Sequence, residues 1–269
     1  MNRLAAKKLQ EFFSTFPGAS TSLLLLDYDG TLAGFRIDRF KARPWAGVRE
    51  LLDAIQKQKK TRIAVVTGRP AEEIPSMLAL DSPPEVWGLH GAERLYPDGR
   101  HELEKQTPAV RRALQKLRQR LKRDSLGGLF EDKPNAAVMH WRGRTPEQVR
   151  EIERRTLELF EPLSEMNGLR LLKFEAGLEL RAGRDKGGAV REIIRESEPD
   201  GPVTYLGDDL TDEAAFEAVN EAEAPHLSVL MRRAPRKTAA DVWLKPPEEL
   251  REFLRMWLEA GNVNRQDRS

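Results

Sequence analysis

The stretch LLLLDYDGTLAGF, residues 23–35, places four leucines directly before two aspartates that are two positions apart. A short, continuously apolar run of this kind is typical of a strand buried on both faces of a parallel sheet. Because residues two apart along a strand face the same side, the carboxylates of Asp27 and Asp29 can converge where the strand ends. Asp29-Gly30 alone would also suit a simple turn, so the remaining segments must decide between a turn and a reaction centre.

Strands and helical patterns alternate on both sides of this stretch. Further apolar runs occur at RIAVVTGRP (62–70), EVWGLHG (85–91), VTYLG (203–207) and LSVLM (227–231), with amphipathic helical segments between them. Such alternation favours a doubly wound parallel sheet, and we therefore predict an α/β fold.

Residues 105–182 break this alternation. They predict, in order, a helix at 108–123, a hairpin at 128–142, a helix at 146–159 and strands at 169–175 and 178–181. An α+β block within an α/β frame indicates an inserted smaller domain. We expect a core formed by 1–104 and 183–269 and a cap domain formed by 105–182.

The composition describes a globular chain without a strong electrostatic field. Hydrophobic residues make up 39% and charged residues 33%, so a core can form beneath a heavily solvated surface. A net charge of +2 does not favour nucleic acid or an anionic membrane. The run Leu23–Leu26 is too short to span a membrane, and the absence of cysteine suits a reducing compartment. We expect a cytoplasmic protein with neither nucleic acid nor a membrane as a partner.

The segment RRALQKLRQRLKR (111–123) is strongly basic. Its apolar residues fall on one helical face together with Val110, and no aromatic residues are interleaved to stack on bases. We interpret it as a helix with a solvated basic side.

Two further segments place charged residues beside strand ends or glycines. YLGDDLTDEAAF (205–216) follows an apolar strand with Asp208, Asp209 and Asp212, and GRDKGGAV (183–190) puts Lys186 at a helix start that suits an anion. Ligands bind at the carboxyl edge of an open parallel sheet. Carboxylates gathered there repel one another unless a cation binds, and oxygen-only ligands favour Mg²⁺.

In order along the chain, these segments resemble the four motifs of the haloacid dehalogenase superfamily of phosphotransferases. The matching residues are Asp27-x-Asp29-Gly30-Thr31, Thr67, Lys186 and Gly207-Asp208-Asp209-x-Thr211-Asp212.

The resemblance implies a role for each matched residue. Asp27 would attack phosphorus and form an aspartyl-phosphate, and Asp29 would act as general acid and then general base. Thr67 and Lys186 would hold the phosphoryl oxygens. The resemblance also implies Mg²⁺, held by Asp27, Asp208 and the carbonyl of Asp29, with Asp212 in support.

The predicted cap places its polar side chains on one face. Glu131, Lys133, His140 and Arg142 fall on the opposite side of the hairpin from the apolar residues, and Glu179 alternates with leucines on a later strand. A mixed-charge sheet face is often only solvated. Such residues also suit a ligand with many hydroxyl groups, over which a cap can close.

FEDKPNAAVMHWR (130–142) and GLELRAGRDKGGAV (177–190) resemble the trehalose-6-phosphate phosphatase family more narrowly. That family carries Glu-x-Lys, six residues, then His-Tyr-Arg, so Trp141 replaces its tyrosine, and Ala182 stands where it usually has proline. LHGAE (89–93) also resembles the family. The resemblance implies that the sugar is contacted by Glu131, Lys133, Arg142 and Glu179, with His140 as a further candidate.

The sequence therefore predicts a Mg²⁺-dependent hydrolase that releases phosphate from trehalose 6-phosphate, a reaction of trehalose biosynthesis. Three alternatives stay open: a related capped phosphatase acting on sucrose phosphate, mannosyl-3-phosphoglycerate or a hexose phosphate; a non-catalytic phosphosugar sensor; and a phosphomutase, for which no segment marks a site that would rebind a bisphosphate. We expect a separate synthase to supply the substrate.

Overall fold

The computed structural model describes residues 3–36, 38–123, 126–174 and 176–263. The chain forms two compact units. Met1–Glu102 and Asp185–Ser269 together make the core unit, and Leu103–Arg184 makes the inserted unit, a range slightly wider than 105–182.

The strands and helices have the following bounds. The strands are β1 (Ser22–Leu26), β2 (Thr61–Val66), β3 (Glu85–Gly88), β4 (Glu93–Leu95), β5 (His101–Leu103), β6 (Phe130–Lys133), β7 (Ala136–His140), β8 (Leu169–Phe174), β9 (Gly177–Ala182), β10 (Val203–Gly207), β11 (His226–Met231) and β12 (Val242–Leu244). The α-helices are α1 (Arg3–Phe13), α2 (Val48–Lys57), α3 (Glu73–Leu78), α4 (Pro108–Arg123), α5 (Pro146–Ser164), α6 (Lys186–Ser197), α7 (Glu213–Asn220) and α8 (Glu248–Val263).

The core unit is built on a mixed sheet with the spatial order β12-β11-β10-β1-β2-β3-β4-β5. The strands from β12 to β3 pair in parallel, and β4 runs antiparallel to β3. Strand β1 lies between β2 and β10, in the middle of the parallel part. The predicted α/β fold with a parallel sheet is confirmed.

The leucine run explains why helices cover both faces of this sheet. Leu24 and Leu26 pack in a cluster with apolar residues of α1, α2, α3 and α8, whereas Leu23 and Leu25 pack with residues of α6 and α7. Each buried leucine stabilises the fold by roughly 1.5–3 kcal/mol relative to exposure. An unbroken apolar run is required because neither face of β1 meets water.

The inserted unit has its own antiparallel sheet, in the order β6-β7-β9-β8, and its own core. The hairpin from β6 to β7 turns at Pro134 and Asn135, and the Asn135 Nδ2 donates to the carbonyl of Ala182 at 3.1 Å. Met139, Leu178 and other apolar side chains on one sheet face pack against residues of α4 and α5. The opposite face carries the polar side chains that the alternation predicts.

Several elements differ from the sequence prediction. Strands β4, β5 and β12 were not predicted, because three residues carry too little alternation to identify a strand. Helix α5 continues past the predicted end at 159, and Phe160 is buried in the core of the inserted unit. Residue 175, the end of one predicted strand, lies outside the described residues. Within the described ranges, no helix combines the length and apolar character needed to cross a lipid bilayer.

Candidate active site

Three neighbouring parallel strands deliver polar side chains to one edge of the core sheet. Asp27 follows β1, Thr67 follows β2 and Asp208 follows β10, and all three side chains are buried. The strands are in register there, with Leu26 opposite both Leu206 and Val65. This edge is the carboxyl edge, at which an open parallel sheet binds ligands.

Lys186 joins two of the acids at this edge. Its Nζ donates to Asp27 Oδ1 and to Asp212 Oδ1, each at 2.6 Å, and all three residues are buried. Burial alone would lower the pKa of Lys186, but the charges of Asp212 and Asp27 outweigh it and raise that pKa above its usual value. The ammonium is therefore held in its charged form.

Two of the buried carboxylates, those of Asp27 and Asp208, have too little positive charge near them to balance their negative charge. Burial, together with the charge of Asp212 and in spite of Lys186, raises the pKa of Asp27 from 3.8 to about 8. The pKa of Asp208 is raised well above its usual value by burial and by the charges of Asp27 and Asp212. One ammonium does not balance three carboxylates in a space from which water is largely excluded.

The same residues fit a divalent cation. One ligand oxygen from each of Asp27, Asp208 and Asp212 lies within 4.8 Å of the others. The buried Oδ2 of Asp27 accepts no hydrogen bond from any residue in the part of the chain that the structure describes. An all-oxygen set with surplus negative charge is the donor set that hard cations such as Mg²⁺ prefer.

Asp212 is the most fully engaged of the three acids. Its Oδ1 accepts hydrogen bonds from Lys186 and from the hydroxyl of Tyr205 at 2.6 Å, and its Oδ2 accepts from the backbone N–H groups of Asp208 and Asp209 at 2.9 Å. Although burial raises the pKa of Asp212, Lys186 and these hydrogen bonds lower it overall. The geometry of Asp212 suits a group that holds the turn after β10.

Glycine at position 30 is required by the approach of Asp208. Gly30 has φ +87, and a Cβ placed on it would lie 2.0 Å from Asp208 Oδ2. The turn after Asp29 therefore depends on glycine both for its backbone conformation and for space.

The structure does not place the Asp29 carboxylate in the acid cluster. Its two oxygens accept hydrogen bonds from Arg69, from Nε at 2.5 Å and from Nη2 at 2.7 Å. The backbone N–H of Arg69 also donates to Thr67 Oγ1 at 3.2 Å, so one residue links Asp29 and Thr67. Arg69 was not predicted as a site residue, although an arginine two positions after Thr67 was a visible signal beside so many acids.

Two more arginines hold the turn after β10. Arg232 Nη1 donates to the carbonyl of Asp208 at 3.0 Å, and Arg236 Nη2 donates to the carbonyl of Asp209 at 2.7 Å. Arg236 also pairs with Glu213 at the start of α7. No sequence signal distinguished them from an ordinary basic loop.

His90 and Glu93 contact the segment that follows β2. The backbone N–H of His90 donates to the carbonyl of Thr67 at 2.8 Å, and Glu93 Oε2 accepts from the N–H of Ala71 at 2.7 Å. The other oxygen of Glu93 lies 2.7 Å from His101 Nε2. These contacts give both residues a part in shaping the loop that carries Thr67.

The candidate sugar-binding residues lie in the inserted unit. His140 Nε2 lies 2.8 Å from Glu131 Oε2, and Lys133 Nζ lies 3.9 Å from Glu179 Oε1. Strand pairing puts Glu131 and Glu179 opposite Val138 of β7, on one sheet face. Glu179 is buried, whereas Arg142 is exposed beyond the end of β7.

Comparison with solved structures defines the fold. The C-terminal domain of the trehalose-6-phosphate phosphatase of C. albicans superposes with a TM-score of 0.78 at 21% identity, covering 93% of this chain and 96% of that one. A haloacid dehalogenase-like hydrolase from B. subtilis gives a TM-score of 0.58 at 19% identity, covering 87% and 98%. The predicted haloacid dehalogenase-like architecture is confirmed.

Sequence comparison identifies the family. The trehalose-phosphate phosphatase of Mycobacterium marinum is 31% identical over 248 residues, covering 86% of this chain and 60% of that protein. The bifunctional trehalose-6-phosphate synthase/phosphatase of Thermoproteus tenax is 30% identical over 259 residues, covering 94% and 34%. The chain thus spans about 60% of the length of its mycobacterial relatives. Residues 25–247 match the family model described as trehalose-phosphatase. The chain belongs to the trehalose-phosphatase family.

Proposed function

We propose that this protein is a phosphatase that hydrolyses trehalose 6-phosphate to trehalose and phosphate, with Mg²⁺ as its cofactor. The observation that carries the proposal is the buried contact of Lys186 with Asp27 and Asp212 at the carboxyl edge of the sheet, in a chain of this family. The surplus negative charge of this buried cluster suits a divalent cation, and a cation bound at this edge of the sheet would allow the transfer of an anionic phosphoryl group.

Asp27 is the proposed nucleophile. Lys186 fixes its Oδ1, which leaves the buried Oδ2 to bond to phosphorus while the bond from phosphorus to the sugar oxygen breaks. Asp29 gives its proton to the departing oxygen. In the second half, Asp29 takes a proton from the water that attacks phosphorus, and the bond to Asp27 breaks.

Thr67 and Lys186 are the proposed ligands of the phosphoryl oxygens. Both side chains are buried beside the strand ends, where their donors are shielded from bulk water. Fixed donors act most strongly where negative charge builds up in the transition state, and low polarity strengthens them.

The residues proposed to hold Mg²⁺ are Asp27, Asp208 and the carbonyl of Asp29, with Asp212 in support. When bound, the ion neutralises the repulsion between an anionic nucleophile and an anionic phosphate. Asp212 has both oxygens engaged by hydrogen bonds, so we assign it mainly to holding Lys186 and the turn that carries Asp208.

The inserted unit is the proposed source of sugar selectivity. Its polar sheet face offers carboxylates, an ammonium and an imidazole, a mixture of donors and acceptors that suits a disaccharide with many hydroxyl groups. The residues assigned to the sugar are Glu131, Lys133, His140, Arg142 and Glu179.

A trehalose-6-phosphate synthase is the proposed source of the substrate. The T. tenax relative is named as a bifunctional synthase and phosphatase, a name that combines the two activities in one chain of that organism. We propose a cytoplasmic location, since the chain contains no cysteine for an oxidising compartment to pair. Cell fractionation would test that location.

Phosphate release from a panel of sugar phosphates tests the function. The panel contains trehalose 6-phosphate, sucrose 6-phosphate, mannosyl-3-phosphoglycerate and glucose 6-phosphate, each assayed with Mg²⁺ and with a chelator. We expect Mg²⁺-dependent turnover with a kcat/KM at least about a hundredfold higher for trehalose 6-phosphate than for the others. Preference for another ester would contradict the substrate, and tight binding without turnover would indicate a sensor.

A further inference from the structure

Arg69 donates two parallel hydrogen bonds to the Asp29 carboxylate, so the contact is bidentate. Nε lies 2.5 Å from Oδ2 and Nη2 lies 2.7 Å from Oδ1, and the Arg69 side chain is only 8% exposed. The two N–H donors form a fork, and such a bidentate fork fixes the plane as well as the position of a carboxylate, which a single hydrogen bond cannot do.

Arg69 is itself held from several sides. Its Nη1 contacts Glu73 Oε2 at 3.4 Å and Met77 Sδ at 3.5 Å, and its guanidinium lies 5.6 Å from the centre of the Tyr28 ring. Its backbone N–H donates to Thr67 Oγ1. Every guanidinium nitrogen therefore has a partner on the protein, and the fork meets Asp29 in a fixed orientation.

We propose that Arg69 is a positioning residue that sets the orientation of the Asp29 carboxylate for proton transfer. The inference rests on the proposed function, in which Asp29 moves the proton. As the bond from phosphorus to the sugar oxygen breaks, the proton passes from Asp29 to that oxygen; later, a proton passes from water to Asp29. Arg69 gains and loses no proton, and it holds the carboxyl group of Asp29, protonated before the first transfer and ionised after it, in both halves.

The contacts favour positioning over direct binding of phosphate. Two nitrogens of Arg69 are committed to Asp29 and the third to Glu73. A residue that acts only through Asp29 has no effect once Asp29 can no longer transfer a proton. A residue that binds phosphate directly keeps its effect in the same background.

A double-mutant cycle separates these two roles. Arg69→Gln should lower kcat for trehalose 6-phosphate by about a hundredfold, within the range of general acid–base catalysis, and should change KM by less than about threefold. In the Asp29→Asn protein, adding Arg69→Gln should lower kcat by less than about a further threefold, because both substitutions remove the same proton transfer. Arg69→Lys keeps the charge but not the fork, and should resemble Arg69→Gln.

The leaving group provides a second readout. A nitrophenolate departs without a proton, so release of nitrophenolate in a single turnover of p-nitrophenyl phosphate should slow by less than about threefold in Arg69→Gln. Added guanidinium should restore part of the sugar-phosphate activity of Arg69→Ala and none of that of Asp29→Asn. Arg39→Gln is the matched control, because Arg39 is a second arginine that pairs with Glu73.

Three outcomes would overturn the proposal: additive losses in the cycle, equal losses for the sugar and aryl esters, or an Arg69→Gln enzyme with normal turnover. Thermal unfolding identifies folded variants, and if Arg69→Gln is unfolded the cycle is run with Arg69→Lys. Should the wild type cleave hexose phosphates but not trehalose 6-phosphate, the proposed substrate is wrong and the cycle is run on the hexose ester. A wild type that hydrolyses no phosphate ester would remove both proposals.

Discussion

Gly30 shows how a single missing side chain shapes the acid cluster. A Cβ at this position would lie 2.0 Å from Asp208 Oδ2, and the backbone has φ +87. Gly99 offers a comparison, because its φ is +85 but, among the described residues other than its chain neighbours, no atom lies within 4 Å of its Cβ position.

Gly30→Ala should therefore abolish most activity, whereas Gly99→Ala should not. Both substitutions should lower the free energy of unfolding by about 1–3 kcal/mol through backbone strain. Only Gly30→Ala should also displace Asp208, lowering turnover by more than about a hundredfold and weakening Mg²⁺ binding. Steady-state kinetics, calorimetric titration with Mg²⁺ and chemical denaturation measure these effects. Equal activity of the two variants would contradict the close approach.

At this scale the sequence identified residues that follow buried strands but not their partners. Asp27, Thr67 and Asp208 could be predicted because parallel strands end at one sheet edge. The pairing of Arg69 with Asp29 could not, because it depends on side-chain directions that no spacing rule fixes. The same holds for Arg236, which is distant in sequence from every motif.

The segment after β11 stabilises the turn after β10 through hydrogen bonds and an ion pair of Arg236. Arg236 donates to the carbonyl of Asp209 and pairs with Glu213, which in turn accepts from the backbone N–H of Ala239 at 2.7 Å. The side chains of Arg236 and Glu213, which bind backbone groups of Asp209 and Ala239, thus tie the turn that carries Asp208 to a neighbouring loop.

Arg236→Gln should weaken Mg²⁺ binding by about tenfold, the usual effect of removing a group that orients metal ligands. The matched control is Arg233→Gln, since Arg233 is exposed and forms no recorded hydrogen bond or ion pair with the residues described. Calorimetric titration with Mg²⁺ compares the two variants with the wild type. An unchanged Mg²⁺ affinity of Arg236→Gln would show that the turn keeps its conformation without the contacts of Arg236.

Helix α1 packs on the core unit through aromatic rings. The ring of Phe12 lies 5.4 Å from that of Phe13 and 6.1 Å from those of Phe16 and Trp257, and Trp257 belongs to α8. Aromatic pairs at such separations add to the energy of burial.

Phe12→Ala should lower the free energy of unfolding by about 3–5 kcal/mol, because it leaves a cavity among these rings. Leu4→Ala on the same helix should cost less than about 0.5 kcal/mol, because Leu4 is 67% exposed. Urea denaturation measures both. Similar small losses would mean that α1 contributes little to the core.

Elements were predicted well where their pattern is long. Helix α4 was predicted at its observed bounds, since its apolar residues recur over four turns, and the leucine run identified β1. The three-residue strands β4, β5 and β12 were missed, because sheet pairing rather than local pattern defines them.

At the scale of the whole molecule, the buried acids couple metal binding to stability. Without a metal, the pKa of Asp27 is raised by burial from 3.8 to about 8. The folded state then binds the proton of Asp27 more tightly than the unfolded chain does. The contribution of this proton to stability is therefore present below about pH 4 and is lost as pH rises through about 8. Mg²⁺ competes with the same proton.

The rise in Tm caused by Mg²⁺ should therefore be larger at about pH 9 than at about pH 6. Thermal unfolding at fixed Mg²⁺ across this range measures it, with Asp27→Asn as the control that cannot release this proton. A Mg²⁺-induced rise in Tm that is independent of pH, or equal in the Asp27→Asn protein, would contradict the coupling.

The two-unit organisation follows from a change in sequence pattern. The core unit alternates strands and helices, whereas the inserted unit has a hairpin and two long helices that close their own hydrophobic core. That change could be recognised in the sequence. Which polar groups of the inserted unit contact one another could not, because they lie on different strands and register alone brings them together.

Chemical trapping of the enzyme during turnover tests the central claim most directly. Borohydride reduces an aspartyl-phosphate to homoserine, and mass spectrometry locates the modified residue. With trehalose 6-phosphate and Mg²⁺ we expect homoserine at position 27 and at no other position, and none when substrate or metal is omitted. Turnover with an unmodified Asp27, or with the modification at another residue, would contradict the account.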